Sequence, residues 1–189
     1  MNKIGILAIQ GDFERHALTI TKLGHQAIEV RTKEELDQTT ALIIPGGEST
    51  TFLTLFNEFK LGDSIIQYAK SKPIMGTCAG LIILAKRADQ LSYKTLDLID
   101  IIVERNAYGR QRESFIEDID LLLNGKERKY PGVFIRAPRI NHVGNGVKIL
   151  ARHKNEPVLV SQNKILVATF HPELTENTDI HGYFISEFM

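Results

Sequence analysis

Short runs that are almost wholly apolar constrain this chain most: Lys3–Ile9, Ala41–Pro45 and Ile165–Phe170 have the length of strands and no polar face. A strand without a polar face must be covered on both sides, the condition of a parallel sheet interior. The intervening segments supply the cover. Asp12–Leu23 sets Phe13, Ala17, Ile20 and Leu23 at helical spacing, and Gly24 stops it. Ser49–Phe59 and Asp63–Lys70 read as further helices and Gln26–Val30 as a strand, while Pro73–Gly76 is a strand feeding straight into a helical stretch over Thr77–Lys86. Strands alternating with helices predict an α/β fold.

Beyond Leu96 the texture changes. Leu98–Val103, Tyr130–Ala137, Val147–Ala151, Pro157–Ser161 and Lys164–Phe170 read as short strands with turn residues between them, and Asn177–Phe188 as a closing helix. This half predicts a mixed or antiparallel extension of the sheet. With no repeat, low-complexity stretch or linker, the expectation is a single three-layer domain over 1–189, a mostly parallel central sheet with helices on both faces.

Charge and cysteine content narrow the function. Lys plus Arg (23) balances Asp plus Glu (23), which argues against partners captured by broad electrostatics, nucleic acid and anionic membranes included. The apolar runs fall far below the ~18 residues of a membrane span, and Lys3–Ile9 runs into Gln10-Gly11-Asp12 with no cleavage site of a signal peptide. One cysteine cannot form an internal disulfide, which fits a reducing, cytoplasmic setting.

That cysteine sits where a nucleophile would sit. In Pro73-Ile-Met-Gly-Thr-Cys-Ala-Gly80, Cys78 marks a strand-to-helix junction with Gly76 before it and Gly80 after it. The spacing is the cysteine version of a nucleophile elbow, in which small residues permit a tight turn that lifts the side chain above the sheet. The helix N-terminus beneath favours thiolate, and the Ala79 N–H is placed to meet an oxyanion. Most lone cysteines are small buried hydrophobes, so the reading needs a base.

Ile165–Glu173 supplies one: an apolar strand ending in His171-Pro172-Glu173. In extended geometry residues i and i+2 share a side, which brings His171 beside Glu173. A carboxylate-held imidazole can accept a thiol proton and return it to a leaving group. Of the other histidines, His25, His142 and His153 fall in turn-like or polar contexts and are expected at the surface, and His16 and His181 in solvated or capping roles. A third motif, Ala41-Leu-Ile-Ile-Pro-Gly-Gly-Glu-Ser-Thr50, ends a strand in a diglycine turn at the same sheet edge, so the Gly47 N–H is a candidate second oxyanion donor. No phosphate-loop pattern is present.

Gly76–Gly80, Pro45–Thr50 and His171–Glu173 together resemble the triad-type, class I glutamine amidotransferases, whose fold is flavodoxin-like. Leu7–Asp12, Arg105–Gln111, Gly132–Pro138 and Phe170–Thr175 are similar to the glutaminase subunits of pyridoxal 5′-phosphate synthase, a likeness running from Lys3 to about Phe184. The resemblance implies that Cys78 is the nucleophile, His171 the general acid/base and Glu173 its orienting partner. It implies that Gly46, Gly47, Glu48, Arg105, Ile135 and Arg136 contact glutamine. Cationic side chains for a carboxylate and an acid for an ammonium suit a free amino acid. It further implies no metal or organic cofactor, and a separate (β/α)₈-barrel synthase subunit that receives ammonia through a channel in a hetero-oligomeric complex. At 189 residues the chain is too short to contain such a barrel, for which ~250 are typical. Two rival readings are a glutaminase serving another acceptor, such as the imidazole-glycerol-phosphate pathway, and a non-catalytic binding subunit. The Phe-Ile-Arg-Ala-Pro stretch disfavours the first and the intact Cys-His-Glu set the second.

Overall fold

The apolar runs become adjacent strands. In the computed structural model, which describes residues 1–59, 61–89, 91, 94–105, 107 and 114–189 (and not the side chains of 53 and 57–59), the first half contains β1 (Lys3–Leu7), β2 (Gln26–Val30), β3 (Ala41–Ile44) and β4 (Ile74–Thr77). These follow one another through α1 (Phe13–Lys22), α2 (Lys33–Asp37), α3 (Ser49–Phe59) and α4 (Leu61–Ala69). The second half contains α5 (Ala79–Leu84), then β5 (Ala85–Asp89), β6 (Ile99–Glu104), β7 (Ser114–Leu123), β8 (Lys126–Ile135), β9 (Arg139–Val143), β10 (Lys148–His153), β11 (Glu156–Gln162) and β12 (Ile165–Ala168). A 3₁₀ turn over Pro172–Leu174 and α6 (Asp179–Phe188) close the chain.

Among the described residues the main sheet has nine strands in the order β2-β1-β3-β4-β12-β11-β10-β7-β8. The ladders joining β2, β1, β3, β4 and β12 are parallel, and those from β12 to β8 antiparallel. The expected mostly parallel sheet with an antiparallel extension is thus present, and the change of direction falls at β12. Alternate residues of each central strand feed opposite faces. Leu42, Ile44 and Val167 pack with Phe52, Phe56, Leu61 and Ile65 of α3 and α4, whereas Ile43, Leu166 and Ala168 pack with Ile20 of α1 and Ile180 and Phe184 of α6. These two cores make the three layers. Each fully buried aliphatic side chain contributes about 1.5–3 kcal/mol.

Two local expectations change, and elements appear where the sequence predicts none. The helix expected over Thr77–Lys86 is α5 alone, because Ala85 (φ −58°, ψ 155°) turns the chain into β5, which pairs in parallel with β6. β5, β6 and β9 form their own three-stranded sheet rather than extending the large one. The short helix α2 is fixed by a capping box: the Thr32 side chain accepts from the Glu35 N–H while the Glu35 carboxylate accepts from the Thr32 N–H. β7 adds a strand of ten residues, paired along its whole length with β8. No described helix is long and apolar enough to cross a membrane.

Candidate active site

Cys78 and His171 follow neighbouring strands. β4 and β12 pair in parallel register, Thr77 opposite Ala168, and the Cys78 N–H donates to the Ala168 carbonyl at 2.9 Å. This ladder sets both side chains at one sheet edge. Cys78 caps α5 with φ 48° and ψ −102°, a conformation that costs a non-glycine residue of the order of 1–3 kcal/mol. Its flanking glycines are needed for space. A Cβ on Gly80 would stand 2.1 Å from the Ile44 carbonyl oxygen, and one on Gly76 would stand 2.8 Å from Gly80 backbone. The sulfur is mostly buried, with Cys78 Sγ 3.7 Å from the Ile135 carbonyl oxygen.

His171 and Glu173 meet as expected, but by another route. Pro172–Leu174 is a 3₁₀ turn rather than extended chain, and it folds the Glu173 carboxylate back to His171, Nδ1 to Oε1 2.8 Å. Proline at the first position of the turn presets its φ. Tyr130 braces this turn, its hydroxyl 3.0 Å from Thr175 Oγ1 and 3.2 Å from the Asn177 carbonyl. Burial alone would lower the His171 pKa. Hydrogen bonding to Cys78 and Glu173, and their charges, outweigh it and raise the imidazole to about 10. Glu173 is held well below the usual carboxylate range despite its burial, by its contacts with His16 and His171. These contacts favour the protonated form of His171, set between a carboxylate and the sulfur.

A cavity of about 490 Å³ opens over these groups, lined by Cys78, His171, Gly47, Glu48, Arg105, Ile135 and Arg136 among others. Of the sequence-predicted residues, Gly46 and Ala79 lie behind this lining, both buried. Gly46 abuts the imidazole instead: a Cβ there would stand 2.3 Å from His171 Cε1. Ala79 is the first residue of α5, so its N–H has no partner within the helix. Gly47, at φ +155°, is exposed on the cavity wall. Arg136 has φ 44°, a second left-handed residue at the rim.

Glu48 is engaged at the start of α3, accepting from the N–H groups of Thr50 (3.1 Å) and Thr51 (2.7 Å) and from the Thr51 hydroxyl (2.7 Å). Arg105 donates to the same carboxylate and to Thr50 Oγ1, each at 3.3 Å. The two groups expected to hold the carboxylate and the ammonium of an amino acid thus pair with each other here. Of the Arg105–Gln111 motif, residues 106 and 108–111 lie outside the described residues.

Other residues at the site escaped the sequence reading. His16 and His181, expected in solvated or capping roles, are fully buried directly behind Glu173. His16 Nε2 lies 3.4 Å from Glu173 Oε2, and its Nδ1 2.9 Å from His181 Nε2. Helical spacing carries the signal, since His16 falls within the Phe13, Ala17, Ile20 stripe. His153, expected at the surface, is also buried, its Nε2 2.6 Å from a Glu117 oxygen. Asp12 lines the cavity, and a ligand-type atom from each of Asp12, His171 and Glu173 falls within 4.8 Å of the others. Within the cluster Glu173 Oε1 is already bonded to His171 Nδ1, and Glu173 Oε2 faces His16.

A strained cysteine at a strand–helix turn, facing a carboxylate-held imidazole across an open cavity, is the apparatus of thiol-dependent acyl transfer. Residues 6–189 match the model of the SNO glutamine amidotransferase family. The chain is 44% identical to the pyridoxal 5′-phosphate synthase subunit PdxT of Solibacter usitatus (strain Ellin6076) over 99% of this chain and 100% of that one. It is 47% identical to the subunit of the same name from Thermosipho africanus (strain TCF52B), over 97% of each. A crystal structure of a glutamine amidotransferase superposes with a TM-score of 0.90 at 46% identity, covering 96% of both chains. The structure of PurLQS from Thermotoga maritima, at 15% identity and a TM-score of 0.73, shares the fold. The chain belongs to the SNO glutamine amidotransferase family.

Proposed function

We propose that this glutamine amidotransferase is the glutaminase subunit of a pyridoxal 5′-phosphate synthase, releasing ammonia from glutamine for a separate synthase subunit. One observation carries the reading: Cys78 and a Glu173-held His171 sit together at the mouth of the cavity. The Cys78 thiolate attacks the side-chain amide carbon of glutamine, and the oxyanion is held by the N–H groups of Gly47 and Ala79. Protonated His171 delivers its proton to the departing nitrogen, giving ammonia and a γ-glutamyl thioester. Thioester formation consumes the thiolate whose contact raises the His171 pKa, so the imidazole becomes a usable base. It then takes a proton from water, which attacks the thioester carbon, and glutamate leaves with the thiol restored.

Arg105 and Arg136 are suited to the substrate carboxylate and Glu48 to its ammonium, with the Glu48–Arg105 pair parting on binding. Gly46 and Ile135 complete the glutamine site. The barrel form of the partner, the channel to it, a single domain over 1–189 and a cytoplasmic setting belong to the same reading. The names of the PdxT relatives support the synthase subunit and the single unpaired thiol supports the compartment. The test is ammonia release from glutamine with and without a synthase subunit, for wild type and Cys78→Ala. Partner-stimulated release that Cys78→Ala abolishes is expected. Release indifferent to Cys78 would overturn the nucleophile assignment.

A further inference from the structure

Behind the proposed triad lies a second pair of buried titratable groups that the chemistry above does not use. His16 of α1 and His181 of α6 are both fully buried, and their rings meet at 2.9 Å, His16 Nδ1 to His181 Nε2. The other face of His16 looks at the site: Nε2 lies 3.4 Å from Glu173 Oε2 and 3.3 Å from Thr77 Oγ1. Glu173 has a fully buried side chain, and its Oε2 has no fully formed hydrogen bond among the described residues. That oxygen would be an uncompensated buried charge without a proton donor facing it. His181 Nδ1 is likewise buried without a partner.

The tautomers follow. A carboxylate oxygen facing His16 Nε2 requires a proton on that nitrogen. Burial, the largest cause, pushes the His181 pKa down to about 3, so His181 is neutral and carries one proton. Placed on Nε2, that proton donates to His16 Nδ1 and leaves a bare lone pair at His181 Nδ1, not an orphaned N–H. Each ring nitrogen is then set by the bond its other nitrogen makes.

We propose that His16 and His181 are positioning residues that extend the triad, His181 fixing the His16 tautomer whose Nε2–H holds Glu173 in place against His171. The proposal rests on the reading of Cys78, His171 and Glu173 given above. Its frame is rigid, because α1, α6, β4 and the turn after β12 each contribute one group: His16, His181, Thr77 and Glu173.

The test uses the full chain and its one cysteine, so alkylation by iodoacetamide at pH 7 reads the reactivity of Cys78 without glutamine or partner. Two amide variants separate the roles. Gln at position 16 puts a donor near the place of His Nε2, whereas Asn reaches only the place of Nδ1. His16→Asn is expected to slow alkylation about tenfold, the lower end of effects seen when a histidine's supporting partners are removed. His16→Gln is expected to restore most of the rate. In a Glu173→Ala background His16→Asn is expected to change nothing further, since His16 acts through Glu173. Equal rates for the Asn and Gln variants, or a tenfold loss that persists without Glu173, would overturn the proposal. Should His16→Asn not fold by circular dichroism, His181→Leu removes the donor to His16 Nδ1 and carries the same expectations. If Cys78→Ala still releases ammonia, the assignment of Cys78 as nucleophile falls, whereas the alkylation rates still decide whether His16 acts through Glu173.

Discussion

Gly46→Ala isolates the contact between the diglycine turn and the imidazole. Gly46 is absent from the left-handed glycines, so alanine costs no backbone strain there, unlike at Gly47. The added methyl would stand 2.3 Å from His171 Cε1 and 3.0 Å from Nδ1, where ordinary contact begins at 3.4 Å. The loop has no room to yield, because the Gly46 carbonyl oxygen already lies against Gly11, where a Cβ would stand 1.8 Å from it. The ring must therefore retreat by about 1 Å, and a misplacement of that size at a reacting group costs about 10²-fold in rate. In barrier terms this is about 2.7 kcal/mol. Steady-state ammonia release in the presence of a synthase subunit measures kcat, and a thermal melt confirms that the variant is folded. A folded Gly46→Ala protein with kcat within about threefold of wild type would refute the argument that Gly46 sets the position of His171.

Two further perturbations follow from the same geometry. Glu48→Gln weakens the anchor of α3. Partial burial opposes ionisation of Glu48, but the Thr51 hydroxyl and the N–H groups of Thr51 and Thr50 bring its pKa down to about 2. A depressed carboxylate stabilises the fold above its unfolded pKa near 4.5 and loses that contribution as pH falls through about 2. The wild-type advantage over the Gln variant, about 1 kcal/mol after allowing for the half-exposed side chain, should thus be present at pH 6 and nearly gone at pH 2 in urea melts. An equal gap at both values contradicts it. Tyr130→Phe removes the hydroxyl that ties Thr175 and Asn177 under the Pro172–Leu174 turn, and should cost about 1–2 kcal/mol in urea unfolding. An unchanged midpoint would mean that the turn stands without it.

The sequence carried the strands and the Cys78 elbow because their signals are local. Apolar runs too short for helices leave little choice, and a cysteine two residues from glycine on either side of a strand end is a backbone statement. Local rules failed where tertiary pairing decides. Ala85–Asp89 has helix-forming alanines and lysine, yet joins β6, because Ala85 and Ala88 gain burial there. His-Pro-Glu is legible as a contact and not as a turn, since a single 3₁₀ turn of three residues is too short to leave a period in the sequence. β7 is masked by its acidic residues, although Ile119, Leu121 and Leu123 alternate inward at the period of a strand. His16 misleads by residue type: its spacing places it on the buried stripe of α1, and spacing is the better guide. His181 had no such local cue, because its burial depends on what α1 and the Pro172–Leu174 turn bring to it.

The pairing of β4 with β12 joins two stretches separated by almost half the chain. During synthesis the Cys78 segment leaves the ribosome long before the strand that leads into His171. Until that strand inserts between β4 and β11, the thiol has neither the imidazole nor Glu173 beside it. A nascent or truncated chain is therefore an ordinary thiol protein, and its reactivity arrives only with the last steps of folding. Chemistry in this molecule is a certificate of completion.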